Sequence, residues 1–155
     1  MDRSSGVVDV TRAGTPPSPE TSLDLDGDGT RISQARRMAA DFLAVVRDTR
    51  GVPVTTDTVE IVQLVVSELV TNARRHAPGP ARLRLQAVDG VLRIELSDGS
   101  SVLPTARAID PDRVGQHGLE IVTALAQCLT VERTATGKRL TADLPLARTP
   151  AASVR

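Results

Sequence analysis

Residues 67 to 80 read SELVTNARRHAPGP, a run that sets a carboxylate (Glu68), an amide (Asn72) and an imidazole (His76) at four-residue intervals among Val and Leu. On a helix that interval stacks the three side chains along one line. At about 100° per residue, Ile61, Val62, Val65, Val66, Leu69, Val70, Ala73 and Ala77 fill roughly half the circumference, with Glu60, Ser67, Thr71 and Arg74 opposite. The polar line therefore follows one margin of the apolar sector, with Leu64 on one side and Val65 and Leu69 on the other. A carboxylate set against apolar surface costs about several kcal/mol unless it is paired or hydrated. Two arrangements meet that demand. Glu68 and Asn72 can hydrogen-bond one another or Arg75 at the rim of the core, or they can line a cleft, with the Asn72 amide oxygen offered to a hard cation and Glu68 acting as a base one turn earlier.

Two later segments carry complementary chemistry. In SDGSS, Asp98 leaves a strand and Gly99 permits close approach of a ligand, so the carboxylate can accept from an exocyclic amine. DGS triplets are mostly ordinary turns, and the motif is weak alone. In VGQHGLEIV, Gly115 and Gly118 lead into a helix, whose exposed N–H groups and positive dipole end form an anion site. Many helices begin after glycine, so this signal too is modest. DLDGDG at 24 to 29 opens like a calcium loop, but the twelfth position from Asp24 is Ala35 instead of the bidentate Glu such a loop needs, and no entering helix precedes it.

The elements that must position these groups follow from periodicity. Ser33 reads as the N-cap of a helix over 34 to 49, with Ala35, Met38, Ala39, Phe42, Val45 and Val46 on one side and a stop at Gly51 and Pro53. A second helix starts near Thr56 or Asp57 and runs to Ala77, where Pro78, Gly79 and Pro80 end it. The period then changes to two: ARLRLQAV, the turn DG and VLRIELSD form a hairpin. Residues 98 to 117 make a long loop, 118 to 128 a third helix, LTVERT a strand, Thr136 to Lys138 a turn, and RLTADLPL the last strand, with an extra strand expected around Ser22 to Leu25. The expectation is an α+β, two-layer α/β sandwich: a mixed, mostly antiparallel sheet covered on one face by three helices. Residues 1–20, rich in Pro, Ser, Thr and Gly, read as a disordered extension, 21–146 as one domain and 147–155 as a flexible tail.

Composition narrows the partners. Nineteen basic and nineteen acidic residues cancel, so no overall field draws the chain to nucleic acid or to an anionic membrane surface. Phe42 is the only aromatic residue, which removes the stacking platforms of single-strand binders. Cys128 is the single cysteine; it excludes an internal disulfide, fits a reducing compartment and reads as a small buried apolar residue. With no apolar run of about 18 residues and no signal-peptide pattern, the expectation is a cytoplasmic protein. Lys138 is the only lysine; the Arg, Ala and Val bias hints at a high-GC bacterial genome.

In order and spacing, SELVTNARRHAPGP, VLRIELSDGS, GQHGLEIVTALA and TGKRLTADLPL resemble the GHKL (Bergerat-type) ATP-binding fold over about residues 32 to 146, and within it most closely the RsbW-like anti-sigma factor serine kinases. The first motif is specific and the others looser. The resemblance implies ATP and Mg²⁺ as ligands. Asn72 would be the metal ligand, Glu68 the group that orients or deprotonates the attacking hydroxyl, and Arg75 a basic residue near the phosphates. Asp98 would recognise the adenine amine with Gly99 beside the ring; Gly115, Gly118 and Leu119 would form the hinge and helix start under the phosphates, and residues 104 to 117 the lid. It further implies an anti-sigma factor with serine/threonine kinase activity on a STAS-domain antagonist, with a homodimer suggested by relatives. A nucleotide-responsive binding module without appreciable turnover is the alternative. A sensor histidine kinase fragment fits less well, since no histidine stands upstream of Gln34. Three features depart from the family pattern. Gln116 and His117 stiffen what is commonly Gly-x-Gly, and His117 reads as an exposed lid residue. His76 reads as a support for the helix end. Lys138 falls in GKR, where relatives often carry Gly-x-Thr, which puts that phosphate contact in doubt; Thr141 lies near the adenine side in some relatives.

Overall fold

The computed structural model describes residues 18–25, 31–76, 79–99 and 118–146. The expected extension before residue 18, the tail after 146, Gly115 and the lid region fall outside them. Five strands and three helices follow in the order β1 (Glu20–Leu25), α1 (Arg31–Arg50), α2 (Thr56–His76), β2 (Ala81–Val88), β3 (Val91–Asp98), α3 (Gly118–Leu125), β4 (Cys128–Thr134) and β5 (Gly137–Pro145). The sheet order is β1-β2-β3-β5-β4, and every described pairing is antiparallel. The α+β two-layer reading holds, with β1 somewhat longer than expected.

The local chemistry explains most boundaries. Asp89 and Gly90 both adopt positive φ, 52° and 80°, as a type I′ turn requires, and this fixes the β2–β3 register from Val88↔Val91 to Ala81↔Asp98. Thr55 caps α2: its hydroxyl accepts the Thr58 N–H at 3.2 Å. Ser33 caps nothing, because α1 begins two residues earlier, at Arg31. The third helix ends at Leu125 instead of Cys128, since the Gln127 N–H donates to the Asp143 carbonyl at 2.7 Å and draws the chain into the β4–β5 ladder.

The alternation expected of the strands is realised. Leu83, Leu85, Leu92, Ile94, Leu96, Leu140, Ala142 and Leu144 are buried beneath the helices, together with Val62, Val65, Val66, Leu69, Val70 and Ala73 of α2 and Ala35, Ala39, Phe42, Leu43 and Val46 of α1. Ala35, the residue that broke the calcium pattern, is thus a core residue. The opposite sheet face is charged and paired across strands: Arg84 with Glu20 and Glu95, Arg139 with Glu132, and Arg93 bidentate to Asp143 at 2.9 and 3.0 Å. Donating to the Asp143 carboxylate holds the Arg93 guanidinium above its ordinary pKa. Two expectations fail on this architecture. Cys128 is exposed, because it opens the edge strand β4 on the charged face beside Arg93 and Asp143. Val45 is half exposed, at the outer side of a groove between α1 and β1. Among the described residues no helix is long and apolar enough to cross a membrane.

Candidate nucleotide site

The ends of α2 are placed by hydrogen bonds and by connectivity. At its start, the Thr58 hydroxyl donates to the Leu146 carbonyl at 3.4 Å, and the Leu146 N–H donates to the Gly90 carbonyl at 2.9 Å. The helix therefore begins over the β2–β3 turn. Its 21 residues span about 31 Å and the eight of β3 about 27 Å, so its C-terminal half lies over the other end of the sheet. The link from His76 to Ala81 agrees, since Ala81 stands directly opposite Asp98. Glu68, Asn72 and Arg75 thus share one end of the molecule with Asp98 and Gly99. α3 packs on α2, and its C-terminal end is held near Asp143, so Gly118 stands about 12 Å from that anchor.

Glu68 and Asn72 are each half-buried, as residues on the margin of the apolar sector should be. Among the described residues neither side chain makes a hydrogen bond or an ion pair, to the other or to Arg75, so the rim-of-core arrangement is not adopted. Arg75 is exposed, and Leu119 is half-buried against the core. The side chain of His76 lies outside the described set, as do Gly115, Gln116 and His117.

The strand-end carboxylate is more deeply set than its motif suggested. Asp98 is 7% exposed and faces the helix layer, and Lys138, directly opposite it in the β3–β5 register, is 2% exposed. The Lys138 ammonium donates to both carboxylate oxygens, at 2.9 and 3.2 Å. Expected in a turn, Lys138 instead belongs to β5: the turn is only Ala135 and Thr136, and Gly137 already pairs with Thr134. Gly137 is there for steric reasons. A Cβ on it would stand 1.9 Å from the Asp98 carbonyl oxygen and 2.6 Å from the Gly99 Cα, whereas one on Gly99 would meet only the Thr136 carbonyl at 3.8 Å. The close backbone approach thus falls on Gly137. Thr141 has the opposite strand parity to Lys138 and lines the charged face with Arg139 and Asp143, away from Asp98.

A cavity of about 460 Å³ opens at this end of the sheet, lined by Leu25, Pro80, Ala81, Asp98, Gly99 and Thr136 among others. Its lining does not extend to Glu68 or Asn72. No group of three or more His, Cys, Asp or Glu side chains among the described residues could hold a metal ion. The donor set therefore does not suit a cation bound by protein alone. It suits Mg²⁺ carried by phosphate, which needs only one or two protein oxygens such as the Asn72 amide.

The model of the histidine kinase-like ATPase domain matches residues 26–144, and the chain belongs to that family. Domains of this family bind ATP, and ATP-dependent kinases are among its members. A solved structure similar to the chain is the histidine kinase domain of the blue-light activated histidine kinase EL346 from Erythrobacter litoralis. The identity is 25%, with 72% of this chain and 61% of that chain covered and a TM-score of 0.46. The match thus spans less than two thirds of that structure. No curated protein matches the chain.

Proposed function

We propose that the chain is an ATP-binding regulatory protein of the RsbW-like kind, an anti-sigma factor that phosphorylates a serine or threonine of a STAS-domain antagonist. The observation that carries this reading is the pair Glu68 and Asn72, half-buried one turn apart over the Asp98 end of the sheet, with no hydrogen bond among the described residues. A carboxylate and an amide so placed are available to a ligand. Mg²⁺, when bound with ATP, would offset charge on the phosphates. Asn72 would ligate it, Arg75 would stand near the phosphates, and the N–H groups of Gly115, Gly118 and Leu119 would meet the phosphates at the start of α3. Asp98 would accept from the adenine amine beside Gly99. Glu68 would orient the substrate hydroxyl and take its proton as that oxygen bonds to the γ-phosphorus and ADP departs.

Partner switching is the regulatory logic of this reading. A sigma factor is held until the antagonist competes for the same protein and is then inactivated by phosphorylation; the protein works in the cytoplasm, as a homodimer, without contacting nucleic acid or membrane itself. The test is phosphate transfer from labelled ATP to a STAS-domain antagonist by the wild-type chain and by Glu68→Ala. Transfer by the wild type, reduced about 10²- to 10⁴-fold in the variant, supports the assignment. Equal transfer by both overturns the role of Glu68. ATP binding without transfer to any antagonist replaces the kinase reading with that of a nucleotide-responsive binding module.

A further inference from the structure

The Asp98–Lys138 pair has one hydrogen-bond donor more than it uses. An ammonium carries three N–H donors and no acceptor. Two of the three on Lys138 go to Asp98, and among the described residues the third has no hydrogen-bond partner although the side chain is only 3% exposed. A buried donor of this kind is normally satisfied, and a charged one most of all. The carboxylate has the complementary property. Each of its oxygens accepts one N–H from Lys138 and keeps a second lone pair with which it can accept. Together the two side chains present a donor beside an acceptor. Adenine offers the matching edge, an acceptor at N1 next to a donor at its exocyclic amine. Guanine carries a hydrogen on N1, so it would set a donor against the Lys138 donor.

We propose that Lys138 is a specificity-determining residue of the nucleotide site, donating its remaining ammonium hydrogen to N1 of an adenine whose exocyclic amine donates to Asp98. The proposal rests on the nucleotide-binding reading above and adds to it a charged, direct contact from the middle residue of the GKR triplet. The experiment is competition calorimetry with the full chain, using ATP, 1-deaza-ATP (N1 replaced by C–H) and GTP, on the wild type and on Lys138→Thr. A lost hydrogen bond to a charged group should make 1-deaza-ATP roughly ten- to one-hundred-fold weaker than ATP on the wild type. That ratio should collapse toward one in Lys138→Thr. Equal affinity of the wild type for ATP and 1-deaza-ATP overturns the proposal while leaving ATP binding intact. An undiminished ratio in a folded Lys138→Thr overturns it too. GTP binding as tight as ATP removes the edge-matching argument, and no binding of any nucleotide overturns both this proposal and the reading it rests on. Should the variant fail to fold by circular dichroism, the wild-type ratio alone decides.

Discussion

Lys138→Met removes the ammonium partner of the Asp98 carboxylate, which is 1% exposed in its side chain under the helix layer. Breaking a buried pair in this way costs about 3–5 kcal/mol, because the surviving charge has lost its counter-charge and is held out of water. Little local relaxation is available. Gly137 pins the backbone of β5 against Asp98 and Gly99, so β5 cannot shift to admit solvent without losing the ladder next to it. For a domain of this size each kcal/mol lowers Tm by about 2–4 °C, which gives a fall of about 6–20 °C. Urea unfolding followed by circular dichroism is the assay, since the chain has no Trp or Tyr to report by fluorescence. Adding Asp98→Leu to Lys138→Met removes the uncompensated negative charge and should recover most of the loss, because an apolar replacement of a buried pair is commonly neutral or stabilising by about 1–4 kcal/mol. A single variant destabilised by less than about 1 kcal/mol would mean that the pair behaves as a surface contact. A double variant as damaged as the single one would mean that lost packing, and not the uncompensated charge, is the cause. Either result refutes the reasoning.

Gly137→Ala should destabilise by about 1–3 kcal/mol or more and weaken ATP binding, as its Cβ would fall 1.9 Å from the Asp98 carbonyl and push the site open; urea unfolding and calorimetry on one preparation check both effects. Leu69→Ala, at a fully buried position of α2 on the apolar side of the polar line, should cost about 2–5 kcal/mol by urea unfolding. By contrast, Arg93→Ala should change stability by no more than about 1 kcal/mol in the same assay, because the Arg93 side chain is 48% exposed and its pair with Asp143 is screened by solvent.

The sequence made the α2 face legible because its chemistry is local. Six apolar residues predicted for one side of that helix, from Val62 to Ala73, are buried, and the margin residues Glu68 and Asn72 are half-buried as the wheel required. The hairpin was equally clear, since Asp-Gly specifies its own turn. The link between Asp98 and Lys138 was not. It joins residues 40 apart and depends on β5 inserting between β3 and β4, an order that periodicity does not encode. Turn-forming residues around Thr136 to Lys138 also drew the turn too far along the chain. Cys128 and Val45 were misplaced for a related reason. Each fits a core position by residue type, but one lies on an edge strand and the other at a groove, and residue type alone does not distinguish these from the interior.

In the proposed function, Glu68, Asn72 and Asp98 frame a site for ATP with its magnesium. Calorimetric titration of the wild-type chain and Asn72→Ala with ATP, each with and without Mg²⁺, tests it most directly. ATP should give saturable heat on the wild type that strengthens with Mg²⁺, and Asn72→Ala should lose that Mg²⁺ dependence with its fold intact by circular dichroism. Absence of heat from ATP on the wild type at high protein concentration would contradict it.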